Sequence, residues 1–125
     1  MAHILVVDDE PEIVKLVSRI LEGRGHTITI ARDGQEALDA IAAERPDVVV
    51  IDLNLPKVDG LEVTRRLKAA DPTRDLPIVL MTATPPTVAD ADRSASPGPD
   101  EFVVKPIARE VLVHNVERLL PLGET

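Results

Sequence analysis

Five residues with group-transfer chemistry stand at the ends of short apolar runs in this 125-residue chain: Asp8 and Asp9 after "ILVV", Asp52 after "DVVVI", Thr82 after "PIVLM", and Lys105 after "EFVV". Asp8 and Asp9 continue into Glu10, so three carboxylates are adjacent. Gathered within a few ångströms of one another, carboxylates raise each other's pKa and resist joint ionisation unless a cation sits among them. A set made only of hard oxygen donors, with no Cys or His, suits Mg²⁺ retaining several waters better than Zn²⁺. Asp52 is then the candidate nucleophile, because an ionised carboxylate needs no general base. A hydroxyl and an ammonium facing a metal-bound carboxylate can hold a tetrahedral anion, as phosphoryl transfer requires, and the expected product is an aspartyl phosphate.

Each of these residues alone has a commoner structural reading. The first acids are favoured by the positive end of a helix starting at Pro11. Asp52 reads as a turn residue, Thr82 as structural and Lys105 as a solvated strand end. What sets these readings aside is their joint placement, which depends on the elements that carry them.

The runs at 4–7, 47–52 and 77–82 are β-branched and nearly unbroken, as strands covered on both faces are. "HTITIA" at 26–31 alternates like a half-covered edge strand, and "EFVV" at 101–104 is a fifth, short strand. Helical spacing separates them. From Pro11, Ile13, Val14, Val17, Ile20 and Leu21 repeat at three and four before Gly23 and Gly25. Asp33 with Glu36 and Asp59 with Glu62 place N-caps before helices at about 33–44 and 60–70. A last helix is expected over about 108–120. Strands alternating with helices imply a parallel sheet with right-handed crossovers and helices on both faces. In such a sheet, ligands bind beyond the carboxyl ends of the strands, where all five residues are expected. The segment "TPPTVADADRSASPGPDE" is confined by Pro85, Pro86, Pro97 and Pro99 and predicts a short helix capped by Thr87, the least stable element.

Composition narrows the classes further. One domain fits the length. No run approaches the roughly 18 apolar residues of a membrane span, and "MAHILVV" has no secretion-signal pattern, so a soluble protein is expected. The absence of cysteine fits the cytoplasm. A formal net charge of −8 and the lack of Lys/Arg clusters argue against nucleic-acid binding. The first βα turn reads "DDEPE" rather than glycine-rich, which disfavours a flavin or dinucleotide.

The motifs "VVDDEPE" at 6–12, "DLNLPKVDG" at 52–60, "MTA" at 81–83 and "VVKP" at 103–106, in this order and spacing, resemble the receiver domain of two-component response regulators over essentially the whole chain. The resemblance implies a flavodoxin-like, doubly wound α/β domain over 1–125, with five parallel strands in order 2-1-3-4-5 and five helices. It implies a phospho-accepting switch rather than an enzyme. A histidine kinase or histidine phosphotransfer protein would supply the phosphoryl group to Asp52, and a downstream effector protein would read the changed surface. By the same resemblance Asp9 and Asp52 bind Mg²⁺ directly, Asp8 assists through water and Asn54 supplies a backbone carbonyl. Thr82 and Lys105 would contact the phosphoryl oxygens, Phe102 would be the switch aromatic, and the Lys105–Pro106 bond would be cis. Dimerisation through the segment before strand five is left open by "SASPGPDEF". The chain stops at "PLGET", as either a single-domain regulator or one part of a longer one. Two rivals are weighed against this. A phospho-aspartate phosphatase would want a carboxylate two residues after Asp52, where Asn54 stands. A receiver-like interaction module that no longer takes phosphate would lack Asp52, Thr82 or Lys105, and all three are present.

Overall fold

The computed structural model describes residues 2–83 and 99–120. Five strands, β1 (His3–Val7), β2 (Thr27–Ala31), β3 (Val48–Asp52), β4 (Ile78–Thr82) and β5 (Glu101–Val104), form one parallel sheet in the order β2-β1-β3-β4-β5. Four α-helices connect or follow them among the described residues: α1 (Pro11–Glu22), α2 (Gly34–Ala43), α3 (Gly60–Ala69) and α4 (Arg109–Glu117). A short 3₁₀ turn, Asp71–Thr73, precedes β4. The helix expected between β4 and β5, with its Thr87 cap, lies outside the described residues.

The unbroken apolar runs behave as strands covered on both faces. Every residue of β3 and β4 is buried. Alternate side chains separate into two cores. Ile4, Val6, Val48, Val50, Val79, Met81 and Val103 meet Val17 and Leu21 of α1 and Leu112 and Val116 of α4. Leu5, Val7, Val49, Ile51, Ile78 and Leu80 meet Ala37 and Ile41 of α2 and Val63 and Leu67 of α3. Each such fully buried branched side chain contributes about 1.5–3 kcal/mol relative to exposure. The edge strand β2 alternates only in part: Ile28 packs on the first core and Ala31 is buried, but Ile30 is 43% exposed. Ile30 opens on a groove along α1 lined by Val14, Lys15 and Ser18 instead of being covered by the helix.

The helix starts follow the predicted caps. Asp33 accepts a hydrogen bond from the Glu36 N–H at 2.7 Å, and Asp59 from the Glu62 N–H at 2.8 Å. Pro11 occupies the first turn of α1, where its missing N–H costs nothing. The last helix is shorter than its apolar pattern suggests. It ends at Glu117, and Leu119 and Leu120 follow in tighter turns that bond to the Val116 and Glu117 carbonyls. Leu120 is still buried, so the periodicity reported burial and not the hydrogen-bonding pattern. No helix among the described residues is long and apolar enough to cross a membrane.

Candidate functional site

Strand register brings the polar residues together. Val7 of β1 pairs with Ile51 of β3, and Asp52 pairs with Met81 of β4, so Asp8, Asp52 and Thr82 leave three adjacent strands at nearly one level. Thr82 in turn pairs with Val104, and the Lys105 N–H donates to the Thr82 carbonyl at 2.7 Å, extending the ladder by one residue. The Lys105–Pro106 bond is cis, as the resemblance implied.

The Lys105 ammonium is the hub. Its Nζ lies 3.1 Å from Asp52 Oδ1, 3.3 Å from Asp8 Oδ2 and 3.2 Å from Glu10 Oε1. Asp8, Asp52 and Thr82 are buried, whereas the Glu10 side chain is 62% exposed and forms the outer wall. Burial pushes the Asp8 carboxyl above the ordinary aspartate range, and neither the Glu10 N–H at 2.9 Å nor Lys105 fully offsets it. Burial, and next the charge of Asp8, raise Asp52 as well, against the opposing pull of Lys105. For Lys105 the balance is reversed. Burial alone would lower its pKa, but the bonds to Asp52 and Glu10 and the charges of Asp52 and Asp8 outweigh it and hold the ammonium above the ordinary lysine value. Among the described residues, one ammonium therefore faces three carboxyl groups, two of them buried where ionisation is disfavoured.

The floor of the site requires a glycine. Gly60, first residue of α3, donates its N–H to the Leu53 carbonyl at 2.9 Å, and a Cβ there would lie 2.1 Å from the Asp52 carbonyl oxygen. The loop between β3 and α3 carries Asn54, which is exposed, and Lys57, whose φ of 67° lies in the left-handed region and which reaches Asp33 at 3.5 Å.

Three acids, Asp8, Glu10 and Asp52, offer oxygens all within 4.8 Å of one another. This grouping overlaps the expected metal set at Asp8 and Asp52 but contains Glu10, which the sequence reading left without a role beyond its charge. Asp9 is exposed and lies outside the triplet, beside Asp8 in the wall of the α1 groove. Glu10 is the third acid of the run and its backbone N–H is drawn back to Asp8, but nothing in the sequence spacing marks its contact with Lys105. Among the described residues these hard oxygen donors have one ammonium among them, a set that suits a divalent cation such as Mg²⁺. Phe102, paired with Leu80 across β4 and β5, is half-buried against the second core, and its carbonyl accepts from Asn115 at 3.1 Å.

A five-stranded 2-1-3-4-5 sheet with acids, a hydroxyl and a lysine converging at its carboxyl edge is the architecture of phospho-receiver switches. The family profile described as response regulator receiver domain matches residues 4–117. The chain is 41% identical over 118 residues to the response regulator MprA of Mycolicibacterium vanbaalenii, and 40% identical to that of Mycobacterium avium. In each case the match covers 94% of this chain and 50% of the relative, so the chain spans about half the length of the curated relatives it matches. Among solved structures it superposes on the signal receiver domain of a signal transduction histidine kinase from Syntrophus aciditrophicus with a TM-score of 0.88 at 33% identity, covering 100% of this chain and 95% of that one. The chemotaxis response regulator CheY4 of Vibrio cholerae gives a TM-score of 0.88 at 30% identity, covering 96% and 99%. The chain belongs to the response regulator receiver domain family.

Proposed function

We propose that this domain accepts a phosphoryl group on Asp52 and that the resulting change of surface is its output. The observation that carries the reading is the contact of Lys105 Nζ with Asp52 Oδ1 at 3.1 Å, at the end of a fully buried central strand and beside a second buried acid. A partner phosphohistidine would present phosphorus to an Asp52 Oδ lone pair. The O–P bond forms as the P–N bond breaks, and the imidazole nitrogen keeps the bonding pair. Lys105 and the Thr82 hydroxyl would hold phosphoryl oxygens as they turn away from the departing imidazole, and burial of Asp52 keeps these contacts strong by excluding water.

Asp9 and Asp52 would hold Mg²⁺ directly, Asp8 through water and the Asn54 backbone carbonyl from the loop. When bound, the ion supplies the charge neutralisation that three acids and an incoming phosphoryl group need. Thr82 drawn toward the phosphoryl group would leave room for Phe102 to turn inward, passing the change to the β5–α4 surface. The donor would be a histidine kinase or histidine phosphotransfer protein, and the reader a downstream effector protein, with cytoplasmic location expected for both steps. Incubation with acetyl phosphate and Mg²⁺ followed by intact-mass measurement tests the reading. One phosphoryl group per chain, added only with Mg²⁺ present, is expected; an unchanged mass under saturating donor and metal would refute it.

A further inference from the structure

Glu10 has no place in the scheme above, yet it shares Lys105 with the two buried acids. The ammonium lies at nearly equal distances from Asp52, Asp8 and Glu10. Two of these partners are enclosed, and only the Glu10 carboxylate faces solvent, on a flexible side chain at the rim. A divalent cation entering among the acids meets this ammonium already there, and two cations a few ångströms apart repel strongly in a buried site. Lys105 must yield Asp8 and Asp52 while remaining close enough to meet a phosphoryl group. Among the described residues, Glu10 is the one partner of Lys105 that lies outward.

We propose that Glu10 is a positioning residue that receives the Lys105 ammonium at the rim when Mg²⁺ occupies the acid pocket, keeping the lysine beside the site instead of releasing it to solvent. This rests on the phospho-acceptor reading above. Glu10 here acts through Lys105 and is not itself a metal ligand. The two roles differ in one respect: a ligand's effect on metal affinity persists when the lysine is neutral, whereas a positioning effect vanishes with it.

A double-mutant cycle on Mg²⁺ affinity separates them. Mg²⁺ binding is measured by calorimetry on the parent, Glu10→Gln, Lys105→Met and the double variant, with Lys105→Gln as a second neutral substitution should the methionine variant not fold. In the parent background Glu10→Gln should weaken Mg²⁺ by up to about fivefold, the scale of one partly exposed ion pair. In the neutral-lysine background the same change should weaken it by less than about 1.5-fold, because the pair it would break is absent. A second readout stays within the single variant: the Lys105 Cε–H resonance should remain displaced from the free-lysine position in Mg²⁺-saturated parent and move to that position in Glu10→Gln. Equal or larger Mg²⁺ losses in the neutral-lysine background, or no loss in the parent, would overturn the role of Glu10 while leaving Asp52 phosphorylation standing. A parent that binds no Mg²⁺ would overturn both.

Discussion

At the scale of single residues, the site is a case of buried like charges held by one counter-charge. Asp8 is enclosed, and its pKa is raised by burial. A carboxyl whose folded pKa lies above its unfolded value lowers stability as pH rises from the unfolded value through the folded one, so ionisation of Asp8 works against the fold. Asp8→Asn keeps the oxygen that accepts the Glu10 N–H and leaves Lys105 with Asp52 and Glu10. Without Mg²⁺ it should raise the melting temperature by a few degrees, which corresponds to about 1 kcal/mol in a domain of this length. With saturating Mg²⁺ the order should reverse, since the parent gains more from the ion. A scan of both proteins with and without Mg²⁺ checks this, and a metal-free Asn variant less stable than the parent would contradict it. Gly60 gives the opposite case, in which any side chain is too much. A Cβ would meet the Asp52 carbonyl oxygen at 2.1 Å, so Gly60→Ala should cost more than about 2 kcal/mol and displace Asp52. Gly23, with φ of −63° and its nearest contact at 3.3 Å, should accept Ala within about 1 kcal/mol. Urea unfolding of the two variants measures the contrast.

At the scale of elements, the far end of the sheet is tied by a cluster that links three parts of the chain. Glu117, last residue of α4, accepts Arg24 Nε and Nη2 at 2.9 and 2.8 Å and contacts His26 Nε2 at 3.0 Å. The Ala2 N–H donates to His26 Nδ1 at 3.2 Å, which leaves Nε2 facing Glu117. Arg24 above all, with His26 after it, holds the Glu117 carboxyl down at about 2 against the effect of burial. A depressed carboxyl pKa contributes stability that is present above the unfolded value, near 4.5, and is lost as pH falls through about 2. Glu117→Gln should therefore be less stable than the parent at pH 6, and the gap should close on acidification through this window. Urea midpoints measured across it test the sign, and a gap that widens in acid would contradict it.

Much of this level was legible in the sequence. The strands were visible because β-branched runs ended at polar residues, and two helix starts because Asp33 and Asp59 precede acids by three. The end of α4 was not, because Leu119 and Leu120 prolong the apolar rhythm after the helical bonds have stopped. Nor was the Arg24–His26–Glu117 cluster, in which Glu117 lies more than ninety positions from the other two and meets them only through the fold. Asp8, Asp52, Thr82 and Lys105 were expected together from strand ends, and strand register places them at one edge of the sheet. Glu10 was not, because its side chain returns from the start of α1 to a lysine at the far end of the chain, a contact that no local pattern encodes.

At the scale of the whole molecule, function follows from placing a charged centre at the edge of a rigid sheet. Both cores converge on β3 and β4, and Asp52 is the last residue of one and Thr82 of the other. On the proposed reading, a phosphoryl charge added there would be expressed at β5, where Phe102 is half-buried. The central claim is that Asp52 is the residue that takes the phosphoryl group. It is tested most directly by treating the protein with acetyl phosphate and Mg²⁺, reducing the acyl phosphate with borohydride, and mapping the peptides. Conversion of position 52 alone to homoserine, and no phosphoryl gain in Asp52→Asn, is the predicted result. Reduction at another carboxylate, or full labelling of the Asn variant, would contradict it.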